Sequence, residues 1–323
     1  MKRKISGLFF KFLLSLCLAS LGSFAQPKSY PDPLKIGASF SLETVTTTAM
    51  SDAKSAGISS IQVSVNGWFD KSGHFKMTEE EISKEVNDAR KAAADAGINI
   101  WAIHMPFGRY IDISLISETE RQKVVAIHKK VLQLCRVLKP EVILFHPSWY
   151  LSLDQRDEHI NQMIKSVLEL AKPVKDLGAI MVIENMTGPE LYVMSQGIKY
   201  ERPLCRTVDE TMKIMNKLPS QIYAAVDMNH MLHPEKLILA LGNRLKFVHV
   251  SDGDGENELH YFPCSGKGMN DWMAILAALY KAEYSGPFMY ECHYKDLKDL
   301  TVCYNYMYNK FIIENYIKLK YKE

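Results

Sequence analysis

The sequence predicts an α/β chain folded as a single (β/α)8 barrel. Three observations carry the prediction: eight short β-rich runs, eight longer amphipathic runs alternating with them, and helix stop and start signals between the two kinds. The predicted strands are Leu34–Phe40, Ile58–Val65, Ile98–His104, Val142–His146, Ala179–Glu184, Ile222–Asp227, Leu245–His249 and Pro287–Glu291. The predicted helices are Thr44–Ala56, Glu79–Ala96, Glu118–Leu138, Gln155–Leu177, Val208–Lys217, Pro234–Leu241, Asp271–Lys281 and Lys295–Lys318. Gly57, Gly97 and Gly178 each fall between a helix and the next strand, where a glycine ends a helix without steric cost. Thr78 with Glu81 and Thr207 with Glu210 have the spacing of capping boxes.

Ahead of the first strand, Lys2, Arg3 and Lys4 precede an apolar stretch from Leu8 to Leu21, followed by Ser23-Phe24-Ala25. That pattern predicts a signal peptide over 1–25, cleavage near Ala25 and an exported mature domain over 26–323, periplasmic or secreted. A lipid anchor at Cys17 is disfavoured by Leu16 before it, and no later run is apolar enough for stable membrane insertion. Of 39 basic residues, four lie in that leader, which leaves 35 against 37 acidic ones. A near-neutral chain lacks the basic field of a general nucleic-acid binder. Five cysteines remain, an odd number without CxxC spacing, so neither a disulfide framework nor a cysteine zinc site is implied.

Strands of a parallel barrel all end at one mouth, which brings distant residues together. Six of the eight predicted strands end in an ionisable side chain: His104, His146, Glu184, Asp227, His249 and Glu291. Buried charges need partners, and no strand ends in Lys or Arg. Glu184, Asp227, His249 and Glu291 therefore form a candidate shell for one divalent ion, with manganese expected and magnesium, cobalt or zinc as alternatives. A salt-bridge network at the mouth is the competing reading.

The motifs "VIEN" (Val182–Asn185), "VDMNH" (Val226–His230), "HVSDG" (His249–Gly253), "SGKGMNDW" (Ser265–Trp272) and "YECH" (Tyr290–His293) resemble the xylose isomerase-like barrel superfamily, which includes ketose 3-epimerases and endonuclease IV. The resemblance implies that the same four residues hold the catalytic metal, that His230 contacts substrate, and that Glu190 stands at a substrate-binding glutamate position. His104 and His146 would line a sugar pocket. His260 is either a substrate contact or a structural histidine before a glycine turn. Where those epimerases carry a substrate-binding arginine, this chain has Gly255. Where endonuclease IV completes a third zinc site with an aspartate-x-histidine, the matching stretch here reads His260-Tyr261-Phe262, with Phe262 in a ligand position.

The implied activity is proton transfer beside a sugar carbonyl through an enediolate, with Glu184 and Glu291 as catalytic acid and base. A lyase or hydrolase acting on keto-glycosides, and a non-catalytic carbohydrate-binding barrel, are the alternatives. The expected partner is a small carbohydrate, not nucleic acid, with a homo-oligomer left open. Asn185–Arg206 reads as a lid; Trp68, Phe107 and Trp149 are candidate stacking platforms; Gly266 and Gly268 allow close backbone approach.

Overall fold

In the computed structural model, which describes residues 30–317, the unit from Pro33 onward is a closed eight-stranded parallel barrel with helices around it. Its barrel strands are β1 (Ile36–Ser41), β2 (Ser60–Ser64), β3 (Asn99–His104), β4 (Val142–Phe145), β5 (Ile180–Glu184), β8 (Ile222–Asp227), β9 (Leu245–Val250) and β10 (Phe288–Tyr290). They close in the order β1-β10-β9-β8-β5-β4-β3-β2. The helices are α1 (Thr47–Ser55), α2 (Glu79–Ala96), α3 (Glu118–Cys135), α4 (Arg156–Asp176), α5 (Val208–Met215), α6 (Pro234–Leu241), α7 (Trp272–Lys281) and α8 (Leu297–Ile312). No described helix is long and apolar enough to cross a membrane. The leader over 1–25 lies outside the described residues.

All eight strand–helix units stand where periodicity placed them, with ends shifted by local chemistry. Thr46 rather than Thr44 caps α1, its side chain accepting from the Ala49 N–H. Asp296 starts α8 later than expected because it forms a capping box with Asp299. The Thr78–Glu81 box is complete, and Gly97 closes α2 in the left-handed region. Thr207 caps α5, but Glu210 does not reach back to it: Arg156 takes both of its carboxylate oxygens, at 2.6 and 2.7 Å.

Side chains two residues apart on a strand share a face, and this stacks the barrel interior in two layers. Trp101, Ala102, Val142, Leu144, Val182, Ala225, Phe247 and Met289 form an apolar plug, with Trp101 stacked on Phe247 at 5.2 Å. Two residues beyond members of that plug come His104, His146, Glu184, Asp227, His249 and Glu291. The plug thus underlies a polar layer at the strands' C-terminal ends. A larger apolar core lies between the strands and the helices.

Two features differ from expectation. The connection Asn185–Arg206 contains a two-stranded antiparallel hairpin, β6 (Leu191–Val193) and β7 (Lys199–Glu201). Cys264 and Cys303 are disulfide-bonded, contrary to the reading of the cysteine pattern. They lie 39 residues apart, and only the packing of the post-β9 loop on α8 brings them together. Cys264→Ser is expected to cost about 2–4 kcal/mol through the freed unfolded chain. A urea midpoint unchanged from the parent would refute this.

Candidate active site

Six strand ends deliver their side chains to one mouth, and four of them share a centre. Glu184, Asp227, His249 and Glu291 each offer a ligand atom such that all lie within 4.8 Å of one another. His249 Nδ1 stands 2.5 Å from Glu184 Oε1, 3.0 Å from Glu291 Oε2 and 3.8 Å from Asp227 Oδ2. Neighbouring strand register explains part of this, since Asp227 on β8 pairs directly with His249 on β9.

The surrounding groups orient these four. Asp227 Oδ1 accepts from the Asn229 N–H at 2.7 Å and the Ser251 hydroxyl at 3.0 Å, while Oδ2 is buried without a hydrogen bond. Asn185 ties β5 to β8 by accepting from the Asp227 N–H at 2.8 Å and donating to the Asp227 carbonyl at 3.2 Å. Glu184 Oε2 is likewise buried without a hydrogen bond, although His146 Nε2 lies 3.2 Å away and His104 Nε2 3.7 Å away. An ionised carboxylate oxygen left unsatisfied in a protein interior is costly. A divalent cation is the partner that carboxylate oxygens so placed lack, and with all four residues offering a ligand atom within 4.8 Å of one another the donor set fits one.

Electrostatics bias the members differently. Burial would raise Glu184, yet the His249 and His146 imidazoles hold it well below the usual carboxylate range. Burial raises Glu291, and Asp227 and Glu184 add to the rise against the pull of His249. Desolvation would lower His249, but Glu291 and Glu184 bring it to about 9. His104, desolvated and beside His146, is pushed down to about 3 and stays neutral.

Gln62, absent from the expected set, is the partner that aims His249. It projects inward from β2, its Oε1 sits 2.7 Å from His249 Nε2, and Ser39 donates to the same oxygen at 2.7 Å. By accepting from the Nε2–H, Gln62 leaves Nδ1 facing the carboxylates, protonated without an ion and able to turn its lone pair to one once that proton is lost. The signal was a lone amide at an inward position of the buried run "SIQVS". Gln62→Met is expected to weaken ion binding 10–100-fold, as loss of such support does at metal-ligating histidines. Calorimetric titration with manganese checks this, and an unaltered affinity would remove Gln62 from the site.

The structure brings His230 and His260 to the mouth with a residue the sequence reading passed over. His230 Nδ1 lies 2.7 Å from the Asn185 carbonyl and His260 Nδ1 2.8 Å from the Glu291 carbonyl. Their Nε2 atoms both face Glu258 Oε2, at 3.2 and 2.9 Å. Although desolvation opposes it, these histidines hold the Glu258 carboxyl far below its ordinary range. The carboxylate-x-imidazole pair is therefore Glu258-Leu259-His260, and the expectation that Phe262 would occupy a ligand position is corrected: Phe262 packs against the apolar core. Asp227, His230 and His260 form one further metal-capable group, and His104, His146 and Glu184 another.

Glu190 is not brought to these clusters. It stands beside the hairpin with its side chain 69% exposed and paired to Arg202. Phe107 does reach the mouth, stacked on His146 at 4.2 Å and held by Asn66, which accepts from its N–H at 3.0 Å. Trp68 is buried in the core, donating to Glu85 at 2.9 Å. Trp149 is half-buried, edge-on to Tyr150 at 6.0 Å. Gly268 admits the carboxylate of Asp252: a Cβ there would lie 2.0 Å from Asp252 Cγ.

Residues 50–302 match the sequence profile of the family described as xylose isomerase-like TIM barrel. A D-tagatose 3-epimerase-like protein superposes with a TM-score of 0.67 at 18% identity, over 88% of this chain and 100% of its own. The 3-keto-D-glucoside 4-epimerase of E. coli does so with a TM-score of 0.63 at 14% identity, over 84% and 99%. An uncharacterised protein of Methanocaldococcus jannaschii is 23% identical over 207 residues, 63% of this chain and 74% of that one. At such identities the likeness to the solved structures is one of fold.

Proposed function

We propose that this chain, which belongs to the xylose isomerase-like TIM barrel family, is an exported, divalent-metal-dependent isomerase or epimerase of a sugar or glycoside. The observation that carries the reading is the convergence of buried Glu184, Asp227 and His249 with half-buried Glu291, one oxygen each of Glu184 and Asp227 being left without a hydrogen bond. An ion held by these four, manganese by preference, would polarise the substrate carbonyl and favour loss of the neighbouring proton. Glu184 and Glu291 both approach the same imidazole nitrogen, at 2.5 and 3.0 Å, so a sugar carbon seated there would have two carboxylates within reach. One takes the proton and the other returns it, on the opposite face for epimerisation or the adjacent carbon for isomerisation. Asp227 anchors the ion, His230 and His260 hold hydroxyls, and Phe107 with His146 and the neutral His104 shapes the sugar's apolar side. Glu190 would join only if the hairpin segment moved.

Incubation with ketoses and 3-keto-glycosides in heavy water, followed by NMR, tests this. Deuterium entering an intact sugar is expected; release of a leaving group would indicate the lyase alternative, and an inert protein would favour a binding barrel. Export is supported by the leader pattern and by the Cys264–Cys303 bond, which suits an oxidising compartment. Recovery of a mature chain beginning at Gln26 outside the cytoplasm is the matching expectation.

One observation favours a second reading. Among the described residues the mouth presents two metal-capable groups besides the central four, Asp227 with His230 and His260 and Glu184 with His104 and His146, and Glu258 adds a carboxylate beside the first, an arrangement that could activate water for hydrolysis using several ions. Metal content separates the two: one equivalent per chain supports proton transfer at a single ion, and two or three support hydrolysis.

A further inference from the structure

Between the β3–α3 loop, the β4–α4 loop, the outer face of α3, the β2–α2 loop and Tyr200 of the hairpin lies a cleft of about 640 Å³ whose walls carry Arg109, Tyr110, Trp149 and Tyr150. Its volume suits a small ligand, and its chemistry is that of a sugar site: flat aromatic faces beside a fixed hydrogen-bond donor. The Arg109 guanidinium lies over the rings of Tyr110 at 5.7 Å and Tyr200 at 5.4 Å, which tethers the β3–α3 loop to β7. The cleft's carboxylates are engaged elsewhere. Asp112 accepts from the Ser114 and Trp149 N–H groups at 2.7 and 2.9 Å, and Glu120 pairs with Lys123 at 2.8 Å.

The cleft adjoins the site. Trp149 and Asp112 also line the small cavity bounded by Phe107 and His146, and Phe107 is two residues from Arg109. Tyr150 forms the other link. It stacks on Tyr192 of the hairpin at 4.6 Å, and its hydroxyl fills the space beside Gly188, four residues past Glu184. A Cβ at Gly188 would lie 2.0 Å from that hydroxyl oxygen.

We propose that this cleft is a second sugar subsite, so that the substrate is a glycoside or oligosaccharide whose reacting ring sits at Glu184 and Glu291 while its next ring stacks in the cleft against Arg109 and the tyrosines. This rests on the proposed function and narrows its substrate class.

The test titrates manganese-supplemented protein with two matched pairs, D-fructose against isomaltulose and D-glucose against maltose. At least one disaccharide is expected to bind tenfold or more tighter than its monosaccharide, with Arg109→Ala and Tyr200→Ala each removing that gain while leaving the monosaccharide affinity within twofold. No gain in either pair overturns the subsite, as does a gain that survives both substitutions. Equal weakening of mono- and disaccharide would make these residues structural and overturns it too. Failure of the proposed function reads differently: no deuterium would enter any sugar, whatever the increment from the second ring.

Discussion

Glu291→Gln should slow deuterium exchange into the substrate by about 10²- to 10⁴-fold, the usual weight of a positioned proton donor or acceptor. The amide keeps the shape and one oxygen able to face the ion, but it cannot carry a proton between substrate faces. Glu184→Gln should be at least as damaging. Its carboxylate touches His249 at 2.5 Å and His146 at 3.2 Å, so the substitution removes the charge that three imidazoles surround. Metal analysis separates the two roles each residue holds. If Glu291→Gln retains the ion and loses exchange, it acts on the proton; if ion and exchange vanish together, its part is coordination. Parental exchange rates in both variants would falsify the two-carboxylate mechanism.

Much of this site was legible in the sequence because a parallel barrel converts strand endings into neighbours. His104, His146, Glu184, Asp227, His249 and Glu291 stand together for the same reason that they end apolar runs: each lies two residues beyond a member of the barrel plug or close to it. Gln62 was harder to read, being neutral and set inside its run rather than at its end. Glu258 was hidden for another reason. It lies in the loop after β9, whose path is set by Asn229: the side-chain oxygen accepts from the Leu259 and His260 N–H groups at 3.3 and 3.1 Å. No periodicity reports such a path. The Cys264–Cys303 bond depends on tertiary packing across 39 residues, which spacing alone does not show. Glu190 illustrates the converse, since a fixed offset from Glu184 crosses the start of a hairpin that carries it to Arg202 instead.

Withdrawing the ion should lower the thermal midpoint, and Asp227→Asn should abolish that dependence without destabilising the ion-free chain. Three carboxylates and one imidazole share the centre, and the strands hold them there at the expense of unsatisfied oxygens on Glu184 and Asp227. An ion that binds only this folded arrangement stabilises it by about 2.7 kcal/mol at a hundredfold excess over its Kd. For a chain of this size that amounts to roughly 4–5 °C. In Asp227→Asn, an amide oxygen can still accept from the Asn229 N–H and the Ser251 hydroxyl, so the local scaffold persists. The variant loses one of the three carboxylate charges, and its amide occupies the place where Oδ2 made no hydrogen bond, 3.4 Å from His230 and 3.8 Å from His249, while depriving the ion of a ligand. The expected result is a parent that loses stability in chelator and a variant with the same midpoint in chelator and in manganese, no lower than that of the chelated parent. A variant that still gains several degrees from manganese would place the ion elsewhere, and a parent indifferent to chelator would mean that the mouth balances its charges by protonation alone.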